Sequence, residues 1–205
     1  MNNGIRNFIE RNKFISKLRD GVKTEEVQRV VLNDKIYTLD SVDRRIKISR
    51  LTSNGEQLYL YRNGIKSKQI EGHQFIRAQY FIIDTKGNAV GRIPVSINNP
   101  DSVSIDYWIS EEQRGKGIGT VALEEIVKQI YDKKEFDNLE FSSINYSDTS
   151  STGIKNIVLE INDDNEASKR IAMKNGFKRN GENSYRLTID EYKEKAKEIQ
   201  GEERS

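Results

Sequence analysis

The residues best suited to chemistry concentrate in Tyr107-Trp108-Ile109-Ser110-Glu111-Glu112-Gln113-Arg114-Gly115-Lys116-Gly117-Ile118-Gly119-Thr120. A strand-like run leads into three glycines within five residues, and a helical period follows. Glycines lack a Cβ, so their backbone can approach a ligand closely. The first amides of the following helix have no intrahelical acceptor and point at whatever sits before them. The helix dipole adds roughly 0.3–1 kcal/mol for an anion there, up to about 2 if partly buried. Arg114 and Lys116 add formal positive charge. These features read as a cradle for a phosphate or diphosphate. Spacing excludes two loops that use the same device. GxxxxGK[ST] needs a Lys after its last glycine, whereas Gly119 runs directly into Thr120. GxGxxG needs a longer last interval and a parallel unit, whereas the strands before this loop read as a meander.

A second stretch carries a pattern of its own. The apolar run Ile157–Ile161 is followed by Asn165 and Ser168 as N-x-x-S, then by Lys174, Gly176 and Phe177 as K-x-G-F. Arg114, Gly117 and Gly119 form R-x-x-G-x-G with Gln113 in front. The two motifs, in this order and with a helix and a strand between them, resemble the GNAT N-acetyltransferase family, most closely its ribosomal-protein and small-amine branch. The resemblance covers residues 75–189 well and residues 1–74 poorly. It implies an α+β (mixed α/β) fold with a central, mostly antiparallel, twisted sheet flanked by helices. It implies acetyl-CoA as co-substrate, in a cleft between the strand ending at Ile109 and the strand 154–161. The diphosphate would be taken around Gln113, Arg114, Gly115, Lys116, Gly117, Ile118, Gly119 and Thr120. The pantetheine arm would pair with backbone near Tyr107 and Ile109 and hydrogen-bond Asn165. The implied reaction is direct acetyl transfer, in a ternary complex, to a primary amine of a small molecule or a protein. A mechanism with no enzyme-bound intermediate suits a chain with no Cys and one His.

Such a reaction makes two demands. An alkyl amine with a pKa near 10.4 is mostly protonated at neutral pH, and freeing it costs about 4–5 kcal/mol, so a base or a water relay helps. The oxyanion needs a donor, which a strand amide near Ile109 could give. The departing thiolate can take a proton from a nearby hydroxyl. Two positions depart from the family's pattern. Many members carry an acidic Tyr five residues before the final Phe, where this chain has Ala172. A common carboxylate early in the preceding strand corresponds to Val103. Ser168 is therefore the candidate acid, its alternative role being a first-turn helix hydroxyl. Asp106 is the candidate base, although strand alternation sets it on the face opposite Val103. Glu160 and His73 are weaker candidates, with surface or structural roles as alternatives.

The surrounding elements follow from hydrophobic period. Residues 5–18 read as an amphipathic helix, and Thr24-Glu25-Glu26 opens a second one carrying Val27, Val30 and Val31. Arg45–Leu51 and Gln57–Arg62 read as short strands, with Asn63-Gly64 as a closing turn, and residues 64–73 carry no assignment. Phe75–Asp84, Ala89–Ile97 and Val103–Ile109 form a meander. Residues 119–131 are helical, with Leu123, Ile126, Val127 and Ile130 on one face and Glu124, Glu125, Lys128 and Gln129 opposite. The Ser/Thr-rich residues 142–153 read as a loop. A strand at Ile154–Ile161, a helix at Asn165–Asn175, a strand at Ser184–Ile189 and a helix at Asp190–Gln200 complete the chain. This divides it into an N-terminal helical extension (1–35), an acetyl-CoA-binding domain (36–189) and a charged tail (190–205).

Composition bounds the rest. The 205 residues are 35% hydrophobic and 32% charged, enough for one cored domain with appendages. The absence of Cys excludes disulfides, thiolate metal sites and a Cys nucleophile, and a single His excludes a His-rich metal site. No apolar run suits a membrane span or a secretion signal, so a cytoplasmic protein is the expectation. Net charge is +2, which does not point to nucleic acid. The expected partners are acetyl-CoA and an amine. The acceptor wall could come from residues 1–32 or a partner chain, and a homodimer would supply the latter. Two further readings stand beside this one. The first is a CoA-binding regulatory module without transfer activity, which Ala172 and Val103 motivate. The second is an interaction protein using the basic N-terminal segment, with nucleic acid among its possible partners.

Overall fold

The computed structural model describes residues 28–32, 35–39, 42–70, 73–143 and 146–202. The helix expected over 5–18 lies outside them. Thirteen strands occur among the described residues, in chain order: β1 Gln28–Leu32, β2 Lys35–Leu39, β3 Val42–Lys47, β4 Leu58–Ile70, β5 His73–Asp84, β6 Ala89–Asn99, β7 Ser102–Ile105, β8 Trp108–Ile109, β9 Glu140–Ser143, β10 Tyr146–Ser151, β11 Asn156–Glu160, β12 Lys178–Arg179 and β13 Ser184–Thr188. Three α-helices occur among the described residues: α1 Ile118–Tyr131, α2 Glu166–Lys174 and α3 Ile189–Glu202. The mostly antiparallel α+β architecture is the expected fold class.

Chain contacts group into two units, and β4, β5 and β6 each contribute to both. The first unit holds the described residues up to 64, together with 79–93 and 108–118. Its β1 and β2 pair antiparallel, Gln28 opposite Leu39. This corrects the second helix read from Thr24 onward, since Val30 and Val31 lie in a strand. β-branched residues lose rotamer freedom in a helix and pack well on a pleated surface once a partner strand is present. β3 pairs antiparallel with β4, with a register shift between Val42 and Arg44. Asn63-Gly64 does not close a hairpin; β4 runs on to Ile70. Gly64 has φ +48, and a left-handed glycine within a strand accommodates a bulge. Ile46, Ile48, Leu58, Leu60, Phe81 and Ile82 are among this unit's buried residues.

The second unit holds the described residues within 65–78, 94–107 and 119–202. Here β6 pairs antiparallel with β7, Val95 opposite Ile105. β7 pairs parallel with β11, from Ser102–Asn156 to Ile105–Leu159. β13 pairs antiparallel with both β11 and β12. Buried residues alternate along β7 (Val103, Ile105) and β11 (Ile157, Leu159), as a sheet with one packed face requires. The Ser/Thr-rich stretch read as a loop instead forms β10, which pairs with β9.

α1 buries Leu123, Ile126, Val127 and Ile130 as expected, but Glu125 and Gln129 are buried too. A helix covered on more than one face must satisfy its inward polar groups. Gln129 Nε2 accordingly donates to Glu125 Oε1 at 2.9 Å. At the far end of α1, the Tyr131 hydroxyl donates to the Leu187 carbonyl at 2.6 Å, tying the helix to β13. α3 begins with a reciprocal cap. The Thr188 N–H donates to Glu191 Oε2 at 2.9 Å, and the Glu191 N–H donates to Thr188 Oγ1 at 3.2 Å. Lys178 pairs with Glu191 at 2.9 Å. This ion pair, with the Thr188 donors, holds the Glu191 carboxyl down at about 2. No helix among the described residues is long and apolar enough to cross a membrane.

Candidate active site

The glycine-rich loop is built in the first unit. Chain leaves β8 through Ser110 into a single 3-10 turn, Glu111–Gln113. Arg114 then extends the backbone at φ −66, ψ 161. Gly115 (φ +75) and Gly117 (φ +77) take left-handed conformations that L side chains rarely adopt. Gly117 directly precedes α1 and has no side chain to cap it, so the first-turn amides of Ile118, Gly119 and Thr120 are not claimed by a cap oxygen of their own chain at that position. Ile118 is 1% exposed and pins the start of the helix. Glu and Asp are absent from that first turn, so no acid competes there for an anion.

Both cations of the loop are braced within it. Lys116 Nζ donates to Gln113 Oε1 at 2.6 Å. Arg114 Nε donates to the Ile109 carbonyl at 3.3 Å. Ser110 N–H donates to the Val90 carbonyl at 3.0 Å, while Ile109 stands opposite Gly91. Antiparallel pairs alternate between bonded and non-bonded rungs, so the Ile109 N–H and carbonyl turn away from β6. Ile109 thus presents its N–H outward, while its carbonyl is held by Arg114. Gly91 permits this approach. A Cβ there would meet the Trp108 carbonyl at 2.6 Å and Ile109 Cδ1 at 2.8 Å.

The turn signal at Asn54-Gly55 is legible in the sequence, but its support of this loop is not. Ser53 N–H donates to the Lys116 carbonyl at 3.1 Å. A Cβ on Gly117 would lie 3.3 Å from the Ser53 nitrogen. Thr52-Ser53-Asn54-Gly55 has the composition of a turn, but nothing in its spacing links it to residues some sixty positions on.

The second unit contains a cleft of ≈ 560 Å³ beyond the last rung of the β7–β11 ladder. Asp106, Tyr107, Glu160, Asn165 and Ser168 line it, together with Ser96 and Ser104. Both expected catalytic residues and three of the other singled-out positions thus share one wall-to-wall space. The strand read as continuous over Val103–Ile109 is broken at Asp106 and Tyr107, which belong to neither β7 nor β8. Asp106 Oδ1 accepts from the Tyr107 N–H at 2.7 Å, and its side chain is exposed. Asn165 caps α2, its side chain accepting from the Ser168 N–H at 3.1 Å. With Oδ1 so used, the Asn165 NH₂ is the group left to reach a ligand. The Tyr107 hydroxyl donates to the Ser168 carbonyl at 3.3 Å. Burial pushes the Tyr107 phenol above its ordinary value; the Ser168 hydroxyl opposes that shift and the Asp106 charge adds to it. Ala172 and Val103 are each fully buried, so neither position offers a side chain to the cleft. His73 opens β5 in register with Ser143.

Ser96 was missed, although its signal was present. It alternates with the buried Val95 and Ile97 on β6, so it faces the other way. Asn175 was also missed. It is buried at the end of α2, and its Nδ2 donates to the Thr120 carbonyl at 3.3 Å, bracing the first turn of α1.

The family description "Acetyltransferase (GNAT) domain" matches residues 22–178. No curated protein sequence matches the chain. Similar solved structures include a spermidine N-acetyltransferase from Vibrio cholerae, 14% identical, covering 57% of this chain and 67% of that one with a TM-score of 0.45. A GNAT-family acetyltransferase from Bacillus anthracis is 15% identical, with coverage of 55% and 66% and a TM-score of 0.43. RimL, a ribosomal L7/L12 alpha-N-protein acetyltransferase in complex with coenzyme A, is 21% identical, with coverage of 56% and 63% and a TM-score of 0.44. Likeness at this level carries no argument about the acceptor.

Proposed function

The chain belongs to the GNAT acetyltransferase family and uses acetyl-CoA, and from that premise we propose that it transfers the acetyl group directly to a primary amine in a ternary complex. The observation that carries this reading is the loop 113–120. Two left-handed glycines alternate with two braced cations and lead into a helix start with no side chain at the preceding position, which suits a diphosphate. Gln113, Arg114, Gly115, Lys116, Gly117, Ile118, Gly119 and Thr120 hold the diphosphate in this reading. Tyr107, Ile109 and Asn165 serve the amide-bearing arm. The outward N–H of Ile109 supports a second role as donor to the oxyanion. Asp106 and Glu160 supply negative charge in the cleft, which suits an amine that arrives protonated. Asp106 or a water relay removes the proton. Ser168 stands beside the space where the thioester would be consumed.

Isothermal titration with CoA, followed by thiol release across an amine panel, tests the proposal. Binding with release on some amines is the expected result. No binding at millimolar CoA to folded protein refutes the cradle. Tight binding with no release on any amine refutes the transfer.

A further inference from the structure

Breaking a thioester leaves an electron pair and a negative charge on sulfur, and four hydroxyl-bearing residues line the cleft, Ser96, Ser104, Tyr107 and Ser168. Resting on the acetyl-transfer reading above, we propose that the Tyr107 phenol is the catalytic acid, donating first a hydrogen bond and then its proton to the departing sulfur.

The chemistry of the group and its placement support this choice over the serines. A phenol, with a pKa near 10, is far more acidic than an alkyl hydroxyl. Tyr107 stands at the break between β7 and β8, just past the Ile105–Leu159 rung where the parallel ladder stops. Its side chain therefore projects into the space that the missing rungs leave. Its present hydrogen bond is also easily exchanged. At 3.3 Å to the Ser168 carbonyl, it is long for an O–H···O bond, whose usual length is about 2.7–2.8 Å. That carbonyl lies in the first turn of α2, where the helix ladder supplies it with the Ala172 N–H four residues on. The phenol can turn to sulfur without orphaning its old acceptor. An ordinary phenol is already protonated at neutral pH, and burial moves its pKa further up, so the donor is in the required form.

The step balances. The amine lone pair forms the C–N bond, and the carbonyl π pair moves to oxygen. That pair returns as the C–S bond breaks, with its electrons on sulfur. The nitrogen proton leaves to the base or to water. The phenolic proton goes to sulfur, giving the free thiol of CoA, and the phenolate recovers a proton from water, with the Ser168 hydroxyl as the adjacent relay.

The test compares Tyr107→Phe with the unaltered chain on two donors: acetyl-CoA and its selenoester analogue, in which selenium replaces the thioester sulfur. A selenol leaves as the anion at neutral pH and needs no proton. With acetyl-CoA, the variant is expected to lose kcat by about a hundredfold, the low end for general acid catalysis. With the selenoester the loss is expected to shrink below about threefold. A residue that only pins α2 would slow both donors equally, and that result overturns the proposal. So does an unchanged kcat, or a Ser168→Ala chain that alone shows the donor-dependent loss. Should the Phe variant fold poorly, difluorotyrosine at position 107 lowers the phenol pKa while keeping the ring. It is expected to move the alkaline limb of the kcat profile down by the same shift, and an unmoved limb overturns the proposal. Titration with CoA runs in parallel. A chain that binds no CoA refutes the acetyl-transfer reading itself, and one that binds CoA normally but fails the donor comparison refutes only the role of Tyr107.

Discussion

Gly117→Asp isolates the diphosphate cradle, because the structure separates three costs. The first is conformational. At φ +77, a residue with a Cβ is strained by roughly 1–2 kcal/mol. The second is steric. The new Cβ would stand 3.3 Å from the Ser53 nitrogen and 3.4 Å from its hydroxyl, so the supporting turn must give by a few tenths of an ångström. The third is electrostatic. A carboxylate about 5 Å from a phosphate charge is repelled by about 3 kcal/mol at an effective dielectric of 20, and by under 1 kcal/mol in water. Gly115 supplies the control. Its φ is +75 and nothing lies within 4 Å of its missing Cβ. Gly115→Ala therefore adds backbone strain and a methyl in the cradle with no contact inside the protein, Gly117→Ala adds the Ser53 contact, and Gly117→Asp adds the charge. The expected effect of the charge is a tenfold to hundredfold rise in the Kd for CoA relative to Gly117→Ala, about 1.4–2.8 kcal/mol. Calorimetric titration reads the affinity, and a thermal melt within a few degrees of the alanine chain confirms an intact fold. Gly117→Asp binding CoA within twofold of Gly117→Ala would mean that no anion rests on this loop.

Further expectations rest on separate features. Gly91→Ala drives a Cβ into the Trp108 carbonyl at 2.6 Å; urea unfolding should show about 1–3 kcal/mol of lost stability, and a loss under about 0.5 would mean that β8 does not cross so closely. Asn165→Ala removes the α2 cap and should cost about 1 kcal/mol, whereas Asn165→Asp should restore it; equal unfolding midpoints for the two would refute the cap. The Glu191 carboxyl is depressed from 4.5 to about 2, first by Lys178 and then by the Thr188 donors. A depressed acid stabilises the fold above its unfolded value and loses that contribution as pH falls toward the folded one. The stability gap between the unaltered chain and Glu191→Gln should thus be widest above about pH 5 and close between roughly pH 4.5 and 2. It stays modest because Lys178 is largely exposed, and a gap independent of pH would refute the ion pair.

The readable parts of this chain are those whose local pattern and tertiary role agree. α1, β6, β7 and β11 each bury the apolar face that their period picks out. The loop 113–120 and the N-x-x-S segment stand out because glycines and caps act on their nearest neighbours. Failures occur where a partner strand overrides composition. Serines and threonines at 146–151 form β10 because β9 supplies the ladder, and Val30 and Val31 form β1 because β2 does. Asn63-Gly64 carries a turn signal yet sits inside a thirteen-residue strand, where the glycine keeps a left-handed backbone. Glu125 and Gln129 read as surface residues because no single-helix pattern reveals a second covered face. The cleft escaped in part for a similar reason. Tyr107 looks like one position of a regular strand until the backbone breaks beside it.

That break has a consequence for which acyl carriers the protein accepts. Two neighbouring strands that stop pairing at Ile105 and Leu159 leave peptide groups set at the strand repeat. A guest is then measured as if by a ruler, by whether its own amides fall on the same marks. On the proposed reading, a short thioester stripped of those amides would keep its reactive carbon and lose its alignment. Discrimination among donors would then begin with the handle, well before the acyl group is felt.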